Sequence, residues 1–338
     1  MPANYCDRPN PSRIPTRQRP WRRFAGLLAV AVVAMPGCGA VSQSSGGAHR
    51  DAKTIGVSMP EFQSMFYTAA VHGMKKAADA AGYKLVVLNA NANAQVQINQ
   101  VQNLITRQVG AVIFAMQDST SGAASVREAN AAKTPLIAID QRPPSGQVTT
   151  FVGSDAVAAG TSICNRLMEQ INHKGKIAVI EGVAGASTQI DRAKGCKSVL
   201  DKNPEVKVVA TSNADWDQNK AYNVAQNILT AQPDLQGIFA QNDGMAIGAA
   251  KAAKAAGRKG IQIVSVDGFP TIYPLIETGA IDSTMSQQPH RMGELAVASA
   301  IKAMKGESIP KQQITGMVLV DKAGLAAAKS NGYYGPAE

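Results

Sequence analysis

The stretch IFAQNDGMAIGAA, residues 238–250, decides the fold. A short apolar run over 237–240 reads as a buried strand. It stops at Gln241, Asn242 and Asp243, and a helical pattern starts there with Asn242 or Asp243 as N-cap. A buried strand that ends in amide and carboxylate side chains at a helix start marks the ligand-binding edge of an open α/β sheet. Such groups suit a neutral, hydroxyl-rich molecule better than a phosphate.

The same alternation runs outward in both directions. Strands are predicted over 54–58, 84–88, 111–115, 136–140, 150–153, 176–180, 206–211, 237–240, 262–266 and 281–286, with a last strand-like piece over 313–320. Helical patterns fall between them, over 66–81, 94–108, 122–132, 156–172, 189–202, 218–231, 245–256 and 291–305. Most of the strands are β-branched apolar runs, as parallel strands covered on both faces require. The predicted class is therefore α/β, with doubly wound parallel sheets. About ten strands in roughly 280 residues suit two such sheets better than one.

The net charge of +10 would point to nucleic acid if it were spread over a face, but it is local. Residues 1–37 hold six arginines and one acid, and the rest of the chain holds 28 basic and 23 acidic residues with no basic block. No nucleic-acid partner is expected. Arg22 and Arg23 precede an apolar run over 24–35, too short for a bilayer at about 20 residues but suited to a secretory segment. Gly37 then precedes Cys38, the pattern of a bacterial lipoprotein signal. The expectation is a signal peptide over 1–37, lipidation at Cys38 and a flexible tether to residue 52, made of small and polar residues. Pro36 and the long arginine-rich segment depart from that pattern, and a start codon further downstream would account for the length. Cys164 and Cys196 fall on predicted helices, where a disulfide and two buried thiols are both open readings. Their spacing, with no nearby histidine, is not that of a metal site, and no cofactor is expected.

Polar and aromatic residues recur where strands end, and strand ends of such a sheet converge on one crevice. Ser64, Phe66 and Tyr67 follow the first strand. Asp140, Gln141 and Arg142 follow the fourth, Arg192 lies beyond 181, and Trp216 beyond 213. Asn242, Asp267 and Gln287 complete the set. Carboxylates accept hydrogen bonds from hydroxyls, arginine donates, amides do both, and aromatic faces cover the C–H side of a sugar or carbon chain. Asp118, Asp155 and Asp191 are assigned to helix caps and local ion pairs, and Asp243 to a cap.

On these motifs the chain resembles the ribose-binding-protein group of type I periplasmic binding proteins. The segments are FAQNDGMAIGA at 239–249, VDG at 266–268, DRAKG at 191–195, ADWDQNKAYNVAQNIL at 214–229 and KKAADAAGYKLVVL at 75–88. The resemblance implies two lobes joined by a multi-strand hinge, one over 53–154 plus 288–316 and the other over 155–287 plus 317–338. It implies a non-enzymatic monomer that closes on a monosaccharide or polyol and delivers it to an ABC permease and its ATPase subunit. It would act in the periplasm or, held by its lipid anchor alone, on the outer face of the cytoplasmic membrane. Carried over residue by residue, the ligand contacts fall on Ser64, Phe66, Tyr67, Asp140, Gln141, Arg192, Trp216, Asn242, Asp267 and Gln287. Ser64 stands where the ribose binders have Asn, Gln141 where they have Arg, and Val266 where they have an aromatic residue, so another pentose, a hexose or an acyclic polyol fits the pattern equally. An inositol or signal-molecule receptor would share the site. A sugar-acting enzyme and a repressor core are the remaining alternatives. The chain has neither a GxGxxG after the first strand nor a P-loop, and an export signal stands where a repressor carries its helix-turn-helix.

Overall fold

Alternate residues of the central strands serve two different cores, which is why these strands read as unbroken apolar runs. The computed structural model describes residues 51–332. In chain order the first half comprises β1 (Asp51–Met59), α1 (Met65–Ala81), β2 (Lys84–Asn89), α2 (Ala94–Thr106), β3 (Val109–Phe114), α3 (Ser119–Ala131), β4 (Leu136–Ile139) and β5 (Thr150–Gly153). The second half comprises α4 (Ala156–Gln170), β6 (Gly175–Glu181), α5 (Ser187–Leu200), β7 (Val206–Asn213), α6 (Gln218–Ala231), β8 (Leu235–Ala240), α7 (Asp243–Ala255) and β9 (Gln262–Asp267). A 3-10 turn (Pro270–Ile272) leads into α8 (Tyr273–Glu277), followed by β10 (Ser283–Ser286), α9 (Pro289–Met304), β11 (Gln312–Ile314), β12 (Val318–Asp321) and α10 (Leu325–Asn331).

The strands form two six-stranded sheets, ordered β11-β5-β4-β3-β1-β2 and β12-β10-β9-β8-β6-β7. In the first sheet, Ala111 and Ile113 of β3 pack under α1 and α9, whereas Val112 and Phe114 pack under α2 and α3. In the second, Ile177 and Val179 of β6 face the α4 side, and Ala178 and Ile180 face the α6–α7 side. The chain crosses between the sheets three times, after β5, after β10 and between β11 and β12.

The fold class expected from the sequence is the one found, with differences at its margins. The strand-like piece over 313–320 is two strands, one in each sheet, broken over 315–317, and β12 runs antiparallel to β10. α3 starts three residues earlier than expected because Asp118 and Ser121 form a reciprocal capping box. α8 and α10, too short to show a helical period, were not anticipated. β1 begins at Asp51, whose N–H donates to the Gln108 carbonyl at 2.9 Å, inside the segment expected as tether. The signal peptide, Cys38 and residues 39–50 lie outside the described residues. Cys164 and Cys196 form a disulfide, with Cα atoms 5.2 Å apart, joining α4 to α5. Among the described residues, no helix is long and apolar enough to cross a membrane, and no group of three or more His, Cys, Asp or Glu side chains could hold a metal ion.

Candidate functional site

Parallel strands point their C-terminal ends the same way, so the loops after β1, β4, β6, β7, β8, β9 and β10 all reach one place. There they enclose a cavity with about 350 Å³ of free space including its mouth. All ten residues expected from the sequence line it: Ser64, Phe66, Tyr67, Asp140, Gln141, Arg192, Trp216, Asn242, Asp267 and Gln287. Glu61 and Thr188 line it too and were missed. Thr188 lies one helical turn before Arg192 on α5, and that spacing was the available signal. Glu61 sits in an irregular loop, where no periodicity announces it.

Each polar group has a defined seat. Tyr67 Oη donates to Asp140 Oδ2 at 3.1 Å. The Gln287 amide donates to Asp267 Oδ1 at 2.8 Å and accepts from Ser154 Oγ, so it ties the second sheet crossing to the first. An Arg192 Nη lies 3.5 Å from Asp267 Oδ1, the other donates to the Gln241 carbonyl, and the guanidinium stands 5.5 Å from the centre of the Trp216 ring. Phe66 and Tyr67 meet edge to face at 5.4 Å. Asn242 is the N-cap of α7, accepting from the Met245 N–H at 2.9 Å, and its own amide N–H reaches the Trp216 carbonyl at 3.4 Å.

Three of these residues hold unusual backbone. Asp140, Trp216 and Asp267 have φ of 65°, 64° and 139°, a region that side chains other than glycine enter at a cost of about 1–3 kcal/mol. At Asp140, the Gln141 N–H closes back on the Ile139 carbonyl at 2.7 Å, turning the carboxylate inward. Two buried atoms of the lining, Arg192 Nε and Gln141 Oε1, have no hydrogen-bond partner among the described residues. Orphaned polar atoms of this kind cost about 1–3 kcal/mol each and point to something that binds there.

Burial raises the Asp140 carboxyl to about 6, against the pull of Arg192 and the Tyr67 hydroxyl. Burial likewise holds the Asp267 carboxyl well above the usual range, although Arg192 opposes it. Glu61 is pushed up by burial and pulled back by the N–H groups of Ser64 and Gln63. Relative to the unfolded chain, Asp140 thus contributes stability that is present below 3.8 and is lost as the pH rises through about 6. The rise corresponds to about 3 kcal/mol. Asp140→Asn is therefore expected to raise the melting temperature of the ligand-free protein at pH 7.5 and to flatten its dependence on pH between 4 and 7. Thermal unfolding across that range checks this, and a variant less stable than the parent at pH 7.5 would refute it.

One expectation is corrected. Asp243 is not a helix cap. It is fully buried beneath β9, where Oδ1 accepts from Ser265 and Thr284 hydroxyls at 2.6 Å and Oδ2 from the Gly268 and Phe269 N–H groups at 2.7 Å. Asn242 takes the cap instead. Arg142 lies outside the cavity lining and pairs with Asp191 of α5, while its N–H donates to Ser187 Oγ at 2.8 Å. Asp118 and Asp155 cap α3 and α4 as expected.

The arrangement is a small, enclosed set of acceptors, donors and aromatic faces, drawn from both sheets, with two carboxylates around one guanidinium. It is built to surround a polar molecule, and phosphate would face the carboxylates. The comparisons agree with this geometry. A model of the periplasmic binding protein domain matches residues 55–308. The ribose import binding protein of Salmonella typhimurium is 32% identical over 269 residues, covering 80% of this chain and 90% of that protein. The xylitol-binding protein of Mycolicibacterium smegmatis is 32% identical over 306 residues, covering 90% and 87%. An ABC transporter solute-binding protein from Mycobacterium smegmatis, solved with bound glycerol, superposes with a TM-score of 0.78 at 33% identity, covering 81% of this chain and 96% of that one. With its two six-stranded sheets and a cavity at their shared strand ends, this chain belongs to the periplasmic binding protein family.

Proposed function

We propose that this protein captures a neutral monosaccharide or sugar alcohol between two closing lobes and delivers it to an ABC importer. The observation that carries the reading is the pair of orphaned buried atoms, Arg192 Nε and Gln141 Oε1, inside a ring of hydroxyl-binding groups. One is a donor and the other an acceptor, as a hydroxyl-rich ligand requires. Phe66, Tyr67 and Trp216 supply the apolar faces for its carbon skeleton. The lobes would be 53–154 plus 288–316 and 155–287 plus 317–338, hinged at the three sheet crossings. A ligand that bonds to both lobes binds the closed state better than the open one and so draws the lobes together. Cys38 would carry the lipid that holds the protein at the outer face of the membrane.

Isothermal titration against D-ribose, xylitol, D-allose, myo-inositol and glycerol is the test. Saturable binding of at least one, with the ligand recovered unchanged, is expected. Absence of heat with all of them in ligand-free protein would remove the sugar and polyol reading, and conversion of the ligand would make the protein an enzyme.

A further inference from the structure

The buried face of α5 is one continuous stripe with two different duties. Thr188 and Arg192 enter the cavity, and Gly195, Cys196 and Val199 pack on α4. Cys196 is one turn beyond Arg192, a rise of about 6 Å. On α4, Cys164 is one turn beyond Gly160. These four positions form two rungs between the helices. On the first, a Cβ added to Gly160 would stand 2.2 Å from the Arg192 carbonyl oxygen, so the backbone of Arg192 rests directly on that glycine. On the second, Cys164 and Cys196 are covalently joined. Gly195 closes the contact from the other side, where its Cβ would meet the Val157 carbonyl at 2.2 Å.

Near the cavity the start of the helix is held by polar bonds. Its N-cap residue, Ala186, makes no side-chain cap bond; the Gln189 carbonyl accepts from the Gln241 amide and the Gln189 amide donates to Glu181, each at 3.1 Å, while Ser187 and Asp191 bond Arg142. Arg192 itself needs accurate placement, because its three contacts lie in different directions: Asp267, the Gln241 carbonyl and the Trp216 ring. A slide or rotation of α5 on α4 would break all three.

We propose that Gly160 and the Cys164–Cys196 disulfide are positioning residues for the cavity, fixing the register of α5 so that the Arg192 guanidinium stays between Asp267 and Trp216. The inference rests on the proposed function for its affinity readout, but not for its second one. Trp216 is the only tryptophan of the full chain once Trp21 is replaced by phenylalanine, so its emission reports Arg192 without any ligand.

In that Trp21→Phe background, Gly160→Ala and the double variant Cys164→Ala/Cys196→Ala are each expected to weaken binding of whichever of D-ribose, xylitol, D-allose, myo-inositol or glycerol the parent binds. The loss should be about tenfold or more, the scale of a displaced charged hydrogen bond, and the Trp216 emission should shift. Leu104→Ala, which opens the α2–α3 core of the first sheet, a core that contains neither Trp216 nor any residue of α5, should lower the melting temperature and change neither readout. Variants that melt earlier but keep the parent's affinity within twofold, with unchanged emission, would overturn the positioning role. If no compound binds the parent, the functional reading fails, and the emission alone decides this one: a shift supports it and no shift refutes it. Should Gly160→Ala fail to fold, the double cysteine variant carries the test.

Discussion

Asp267→Ala is expected to abolish ligand binding in the concentration range where the parent saturates. The substitution removes one carboxylate acceptor from the cavity. It also leaves Arg192 with no anion at 3.5 Å and the Gln287 amide without its 2.8 Å acceptor, both in a buried site. Losing a charge-assisted hydrogen bond to the ligand costs about 1.5–3 kcal/mol, and an Arg192 guanidinium displaced for want of its anion costs its own ligand bond a similar amount, together more than a hundredfold in Kd at about 1.4 kcal/mol per factor of ten. Titration of the variant with the parent's ligand is the measurement. Affinity within a few-fold of the parent would take Asp267 out of the site. Because burial holds this carboxyl well above the usual range, the folded variant should not lose stability in proportion to its loss of binding.

The second large effect falls on stability. Asp243→Ala removes the shared acceptor of four buried donors at once: the hydroxyls of Ser265 and Thr284 and the backbone N–H groups of Gly268 and Phe269, of which the Gly268 N–H keeps a longer bond to Thr284 Oγ1 at 3.2 Å. Each unsatisfied group costs about 1–3 kcal/mol, so the total, about 4 kcal/mol or more, is a large share of the roughly 5–15 kcal/mol by which a domain is stable. A fall in melting temperature of about 10 °C or loss of a cooperative transition is expected. A shift of only a degree or two would show that these donors find other partners. The same four bonds hold the turn after β9, with φ of 139° at Asp267 and 85° at Gly268. The variant should therefore bind poorly even where it remains folded.

These two aspartates show how far the sequence could be read. Asp267 was legible because it ends a strand, and every strand end in a parallel sheet reaches the same crevice. The same rule found Asp140, Asn242 and Gln287 across more than a hundred positions. Asp243 was misread because it adjoins Asn242, and both residue types rank equally as caps. What separates them are partners 22 and 41 residues away, Ser265 and Thr284, which no local pattern reveals. Residues 313–320 looked like one strand because Ile314 and the run over 317–320 are apolar, yet Gly316 was the sign of a break between two sheets. The pairing of Cys164 with Cys196 stayed open for a related reason: two helices that each read as buried do not state which faces meet.

Were the two lobes proposed above to turn about the sheet crossings, Gln287 would give the cavity a mechanical asymmetry. It stands where the chain passes between the sheets and is tied to Ser154 at a second such passage. For two bodies turning about those passages, this is the fulcrum, and points beside a fulcrum barely travel while distant points sweep an arc. A molecule seated on Gln287 and Asp267 would keep those bonds through the early part of opening and first lose the ones nearest the mouth. Its escape would then resemble peeling more than lifting, so changes near the mouth should act on the rate of departure and changes at Gln287 on how long a partly opened complex survives.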